Sequence, residues 1–188
     1  AVQWANGYCK ANDCGGRESV VEKNALTIHG LWPSLKSGKN LDDCTSGVDV
    51  VDTGSALFLK LRKNWPSLAG KNTKFWSHEY NKHGYCMVEE CNWDGYEDYF
   101  SFVLELFEEN YKYLIKQAFP GTKSTTFTIT YNEMQEKIRE VIPNAIFKMN
   151  CKSKFIYEIY FYLEKDDFTP SPDSRFSNTC DSAQLVFK

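Results

Sequence analysis

Apolar positions along the chain recur at two periods, and the change of period divides it into regions. Between Tyr96 and Ala118 the residues Tyr96, Phe100, Val103, Phe107, Tyr111 and Leu114 or Ile115 fall three or four apart, which is one face of an α-helix. This is the longest stripe in the chain and reads as core. Leu57, Leu61 and Trp65, with Phe58 beside them, predict a shorter helix within Asp52 to Trp65, ended by Pro66. A further helix is expected over Phe75 to His83, stopped by Gly84, and another over Asn132 to Ile142. Runs rich in β-branched and aromatic residues predict strands at Ala25 to Ile28, Thr125 to Thr130, Phe155 to Leu163 and Leu185 to Phe187. The first 24 residues, with Asn6-Gly7, Asp13 and Gly15-Gly16, read as a short strand and a loop, and residues 34 to 54 read as loop as well. Helices gathered in the middle and strands at both ends predict an α+β fold: a largely antiparallel sheet with several packed helices, in a single domain over residues 1–188.

Composition narrows the partners. A chain of 188 residues can bury a sizeable core unaided. No apolar run approaches the ~20 residues needed to cross a bilayer, so no membrane association is expected. A formal charge of −3 argues against a generic nucleic-acid coat, whose surface would be broadly basic; a polyanionic substrate would have to meet positive charge concentrated in a site. Seven cysteines without Cys-x-x-Cys spacing favour disulfides formed in an oxidising compartment, with one thiol left over. The chain opens without a leader and is expected to be the mature form of a secreted or vacuolar/lysosomal protein. It has no Asn-x-Ser/Thr sequon, and N-glycosylation is not expected.

The three histidines carry the chemistry. His29 lies in Leu26-Thr27-Ile28-His29-Gly30-Leu31-Trp32-Pro33, at the exit of a predicted strand. His78 and His83 lie in Phe75-Trp76-Ser77-His78-Glu79-Tyr80-Asn81-Lys82-His83-Gly84-Tyr85-Cys86. The latter resembles the zinc pattern His-Glu-x-x-His, but with one residue too many. Ligands four apart share a helix face, whereas His78 and His83, five apart, stand about 140° from one another on an α-helix. No metal is therefore expected, and a metallopeptidase is disfavoured. The same spacing sets Glu79 with His83 and His78 with Lys82, four apart in each case. A carboxylate beside His83 favours its charged form, and Lys82 adds a permanent cation. With His29 from a separate element, the set suits in-line displacement at phosphorus, in which one group takes a proton while another gives one. Taken singly, each residue has a plainer reading. A lone histidine is usually structural, Glu79 and Lys82 could be a helix ion pair, and Trp32, Phe75 and Trp76 could be core. Glu89-Glu90 and Asp166-Asp167 read as solvated charge.

The two motifs, in this order and separation, resemble the two active-site segments of the RNase T2 family, the Rh/T2/S ribonucleases. Gln3-Trp4, Asn64-Trp65-Pro66-Ser67-Leu68 and the cysteine layout extend the likeness over most of the chain. The resemblance implies cofactor-free and metal-independent cleavage of single-stranded RNA through a 2′,3′-cyclic phosphate. By motif position, His83 would be the general base, His29 the general acid and His78 a phosphate ligand, with Glu79 and Lys82 stabilising the transition state. DNA, lacking the attacking 2′-hydroxyl, is excluded as a substrate. Trp32 and Phe75 would contact bases, with Gln3 and Leu68 as further candidates. Tyr80, Tyr85 and Ser34 depart from the family pattern without touching the catalytic set. The resemblance also pairs Cys44 with Cys86; Cys9 is assigned to Cys14 and Cys151 to Cys180, leaving Cys91 free by elimination. A monomer is expected. The alternative is a non-catalytic RNA-binding, toxin or signalling protein on the same fold.

Overall fold

A computed structural model describes residues 1–22, 24–35, 41, 44, 46–122, 126–171, 179–180 and 182–186. Its strands are β1 (Val2–Gln3), β2 (Thr27–Ile28), β3 (Thr126–Thr130), β4 (Phe147–Lys152), β5 (Phe155–Phe161) and β6 (Ser182–Val186). They form one six-stranded sheet in the order β2-β1-β5-β6-β3, with β4 on the other edge of β5. Among the described residues only the brief β5–β6 contact, Phe155 with Gln184, is parallel. The α+β reading with a largely antiparallel sheet is borne out.

Register sorts the side chains into rows, because residues directly opposite in neighbouring strands point to the same face. Ile28, Val2, Ile159 and Met149 make an apolar, buried row. The adjoining row, Thr27, Gln3, Glu158 and Asn150, is polar, yet its first three members are buried as well. Burying such a row is costly unless its groups are paired, so partners from other elements are expected on this side of the sheet. Between the pairs Asn150–Glu158 and Cys151–Ile156 the register slips, leaving Tyr157 as an extra residue of β5 whose carbonyl accepts from the Trp4 amide (2.9 Å). Bulges re-aim side chains, and this one adjoins Glu158.

The helices are α1 (Ala5–Ala11), α2 (Ala56–Asn64), α3 (Asn72–Glu79), α4 (Tyr85–Cys91), α5 (Tyr96–Asn110), α6 (Leu114–Ala118) and α7 (Tyr131–Val141). α7 begins with a capping box in which Thr130 and Glu133 satisfy each other's backbone amides. The α5 stripe is core as expected: Phe100, Val103 and Phe107 are buried, and Trp65 from the end of α2 packs edge-on to Phe100 at 5.3 Å. The Cys9–Cys14, Cys44–Cys86 and Cys151–Cys180 disulfides are present and Cys91 is free.

Four expectations need correction. Asn6-Gly7 is not a turn but part of α1, because α1 lies on β5 so closely that a Cβ on Gly7 would stand 1.7 Å from the Ile156 carbonyl oxygen. β4 went unpredicted, although Phe147, Met149 and Cys151 alternate with Lys148, Asn150 and Lys152 as a half-buried strand should. The stripe from Tyr96 to Ala118 is two helices. The Tyr111 and Lys112 amides both close on the Phe107 carbonyl (2.9 and 3.0 Å), and the Lys112 carbonyl turns away to accept from Leu26 (2.9 Å). Finally, Gly84 does not stop a helix. From Tyr80 to Gly84 the chain continues α3 as a π-helical turn, which passes directly into α4. The expected strand ends Thr125 and Phe187 lie outside the described residues.

Gly84 is glycine because of what lies against it: a Cβ there would stand 2.8 Å from the Tyr99 ring. Gly84→Ala is expected to lower stability by about 1–3 kcal/mol through overpacking, despite the better helix propensity of alanine. Chemical denaturation reads this directly; an equally or more stable variant would mean that the Tyr99 ring yields freely.

Candidate active site

His29 follows β2 immediately, on the face of the polar row, and its backbone is fixed from two directions. Its amide donates to the Ala1 carbonyl (3.0 Å), and its carbonyl accepts from the Trp65 indole nitrogen (2.7 Å). Two residues on, the Leu31 carbonyl accepts from the Tyr99 hydroxyl (3.1 Å). Between them Gly30 is obligatory: a Cβ would meet Glu79 Oε2 at 2.2 Å and Trp32 Nε1 at 2.3 Å. Its absence lets the Trp32 indole fold back and donate to Glu79 Oε2 (2.7 Å).

The second motif arrives on α3 and the π turn. In the π segment, with its i→i+5 bonding, positions five apart draw together rather than diverging by the α-helical angle. His78 lies in α3 ahead of that segment, so only part of the span to His83 is tightened, and burial sets the two apart as well: His83 is 4% exposed, whereas His78 faces solvent. Among the described residues, Cys9, Cys14 and Glu18 are the one set of three potential metal-ligand atoms lying close together, and those two cysteines form a disulfide.

Trp32 joins the two motifs. Its ring lies 4.8 Å from that of His29, 5.1 Å from that of His83 and 5.3 Å from that of Tyr160. Phe75 of α3 covers His29 from another side, at 5.6 Å. The structure thus brings together His29, Trp32, Phe75, Glu79 and His83. His78 stands outside this cluster and acts on it through its charge on Glu79. Lys82 is half-buried in the π turn and makes no ion pair among the described residues. Gln3 is in the sheet beside Glu158, its side-chain oxygen buried without a hydrogen-bond partner among the described residues. Leu68 is buried.

Two carboxylates flank His29, and their environments push them in opposite directions. Glu79 Oε1 lies 3.7 Å from Nε2, and Glu158 Oε1 bonds Nδ1. Burial raises the Glu79 carboxyl above its ordinary value of 4.5; the charge of His29 and the bond from Trp32 offset this only in part. Burial also pushes Glu158 up, but the hydrogen bond and charge of His29, with a bond from Tyr160, outweigh it and hold the group below the usual range. Titratable groups driven apart in this way are a mark of acid–base sites.

Sequence reasoning missed Glu158 and Asn81. Glu158 was signalled as the lone carboxylate in the apolar run Phe-Ile-Tyr-Glu-Ile-Tyr-Phe, which demands a buried partner. Asn81 clamps the loop after the first motif: its Oδ1 accepts from the Val48 amide (2.9 Å) and its Nδ2 donates to the Val48 carbonyl (2.8 Å). The Val50 amide donates to Ser77 Oγ (2.9 Å), and the Cys44–Cys86 bond closes the same loop.

Two imidazoles from separate elements of the α+β fold, joined by an indole and a buried carboxylate, make a cluster of the kind that acid–base chemistry uses. The chain belongs to the ribonuclease T2 family, whose model matches residues 1–180. It is 31% identical to ribonuclease Rh of Rhizopus niveus over 202 aligned positions, covering 95% of this chain and 77% of that protein. It is 37% identical to ribonuclease DdI of Dictyostelium discoideum over 107 positions, covering 57% of this chain and 46% of that one. The chain therefore spans about half the length of that relative, as it does for the ribonuclease T2-like protein 1-A of Candida albicans, at 48%. In fold it resembles the RNase-related protein of Calystegia sepium (TM-score 0.74, 21% identity, 100% of this chain and 95% of the other). It also resembles RNase NT in complex with 5′-AMP (TM-score 0.65, 24% identity, 99% and 94%).

A carboxyl raised in the folded state favours folding while protonated, below its ordinary 4.5, and this contribution is lost as pH rises through the raised value. Glu79→Gln keeps an acceptor for Trp32 and removes the charge. It is expected to raise the thermal midpoint at neutral pH, the gain vanishing below about pH 4.5. Unfolding curves across this range check the sign; a variant less stable than the native protein at neutral pH would contradict it.

Proposed function

We propose that the protein is an endoribonuclease that cleaves single-stranded RNA by transphosphorylation, forming a 2′,3′-cyclic phosphate. The observation that carries this is the convergence of His29 and His83 on Trp32 with Glu79 bonded to the same indole. Family membership supports the same reading, since the relatives with sequence matches are named as ribonucleases.

His83 takes the proton from the ribose 2′-hydroxyl as that oxygen attacks phosphorus, and His29 gives a proton to the departing 5′-oxygen. One imidazole begins neutral and the other charged, so the reaction is fastest at acidic to near-neutral pH, around the ordinary imidazole value of about 6.5. Negative charge accumulates on the phosphoryl oxygens during attack. Lys82 and His78 supply positive charge to it, and Glu79, beside His29 and bonded to the Trp32 indole, helps to stabilise the same transition state. The chemistry runs through side chains of the protein alone, with no metal or organic cofactor. Phe75 and Trp32, the rings nearest His29, offer faces for unpaired bases, each worth roughly 1–3 kcal/mol. Gln3, whose buried side-chain oxygen has no hydrogen-bond partner among the described residues, is suited to a base edge. Because Trp32 touches both imidazoles, a phosphate reached by both must share the site with this indole or displace it. Three disulfides suit a secreted or vacuolar/lysosomal location.

His29→Phe and His83→Phe are each expected to cut the rate by at least roughly 10² to 10⁴, with the fold retained. The decisive assay incubates the native protein with homopolymeric RNAs and dinucleoside phosphates in the presence of chelator and looks for cyclic phosphates. Their absence, or near-full activity in either variant, overturns the mechanism. Tight RNA binding without cleavage would instead favour a non-catalytic role.

A further inference from the structure

We propose that Glu158 is the positioning residue of His29, accepting the Nδ1 proton so that Nε2 alone is turned toward the substrate. This rests on the reading of His29 as the general acid. Nδ1 of His29 and Oε1 of Glu158 are bonded across 129 residues of sequence. An ionised carboxylate facing a bare ring nitrogen would set two acceptors against each other, so the nitrogen must carry a proton. That fixes the tautomer, and it leaves Nε2 as the atom that gains and loses the catalytic proton. When Nε2 releases its proton to the leaving oxygen, Nδ1–H stays bonded to Glu158, and the neutral ring keeps its place for the next turnover.

Glu158 is equipped for this role and poorly placed for any other. It is 2% exposed, so it cannot itself meet a bulky substrate. Its second oxygen accepts from Nδ2 of Asn150 (3.3 Å), its partner on β4, and Tyr160 donates to the carboxylate as well. These bonds hold the carboxylate ionised despite burial and aim it at one partner. The Tyr157 bulge breaks the strand's alternation at this point, and consecutive residues Glu158 and Ile159 are both buried. One of them goes to the core row and the other to His29.

The titratable groups facing His29 are Glu158 from β5, Glu79 from α3 and, through Trp32, His83 from the π turn. The Ala1 amino group, bonded to the Gly30 carbonyl (2.7 Å), acts on both carboxylates. Removing only the Glu158 charge should therefore shift His29 in one direction, by taking away the anion in direct contact with its ring.

The test uses Glu158→Gln, an isostere that retains polar groups for Asn150 and Tyr160. Proton and nitrogen NMR of the imidazoles is recorded across pH beside the pH–rate profile on a dinucleoside phosphate. In the native protein the neutral His29 ring should carry its proton on Nδ1. In the variant its titration midpoint should fall by roughly one unit. The alkaline limb of the rate profile should move by the same amount, with kcat above that limb down about tenfold and KM little changed. A proton on Nε2 in the native protein overturns the proposal without any variant, as does a folded variant with unmoved midpoint and limb. If the variant fails to fold, Glu158→Asp, which keeps the charge, decides: a folded Asp variant should retain the native midpoint, and a lowered midpoint there would count against the proposal. If the native protein cleaves no RNA, the acid role of His29 fails, while the NMR still reports whether Glu158 fixes the ring.

Discussion

Placing an imidazole between two buried carboxylates is the constraint that the rest of the structure serves. Glu79 and Glu158 are each 2% exposed, and a carboxylate taken out of water costs several kcal/mol unless hydrogen bonds and opposite charge offset it. Each is met from a separate element. Trp32 donates to Glu79, while Asn150, Tyr160 and His29 serve Glu158. The ring that both flank is held at its own backbone by Ala1 and Trp65. Sheet, loop and helix are thus tied to one another around the His29 ring. Glu79 remains incompletely compensated, as its raised carboxyl shows, and this is a stability cost retained at the site.

The π-helical turn is the second device. A straight helix ending at Gly84 would have left His83 near a frayed terminus. Instead the turn from Tyr80 to Gly84 runs on into α4, with helix on both sides and Tyr99 packed against its last residue. The Tyr99 hydroxyl in turn holds the Leu31 carbonyl (3.1 Å), so the same side chain touches the end of one motif and the middle of the other. Such a device transmits disturbance, since a shift of α5 would be felt at both imidazoles. The Cys44–Cys86 bond and the Asn81 clamp perform a similar service on the loop side. A covalent link closing a loop of this length contributes about 4 kcal/mol in the chain-entropy model, and here it also fixes the half-sites with respect to one another.

Hydrophobic periodicity determined much of this protein. The α5 stripe, α2, α7 and the strand run around Ile156 and Ile159 followed from local spacing, because a side chain's face is set by its own few neighbours. The histidine motifs were legible too, since they are compact and the chain has no other histidine. What local spacing could not determine were contacts between elements distant in sequence. Gly7 reads as a turn until the Ile156 carbonyl lies against it, and Gly84 reads as a stop until Tyr99 does. The end of α5 depends on Leu26, whose amide draws away the Lys112 carbonyl. Glu158 appears in sequence as one acid in an apolar strand. Only the register of β5 against β1 and β4, with a bulge at Tyr157, carries it to His29, because a carboxylate's partner is selected by tertiary proximity and by the cost of burying it alone.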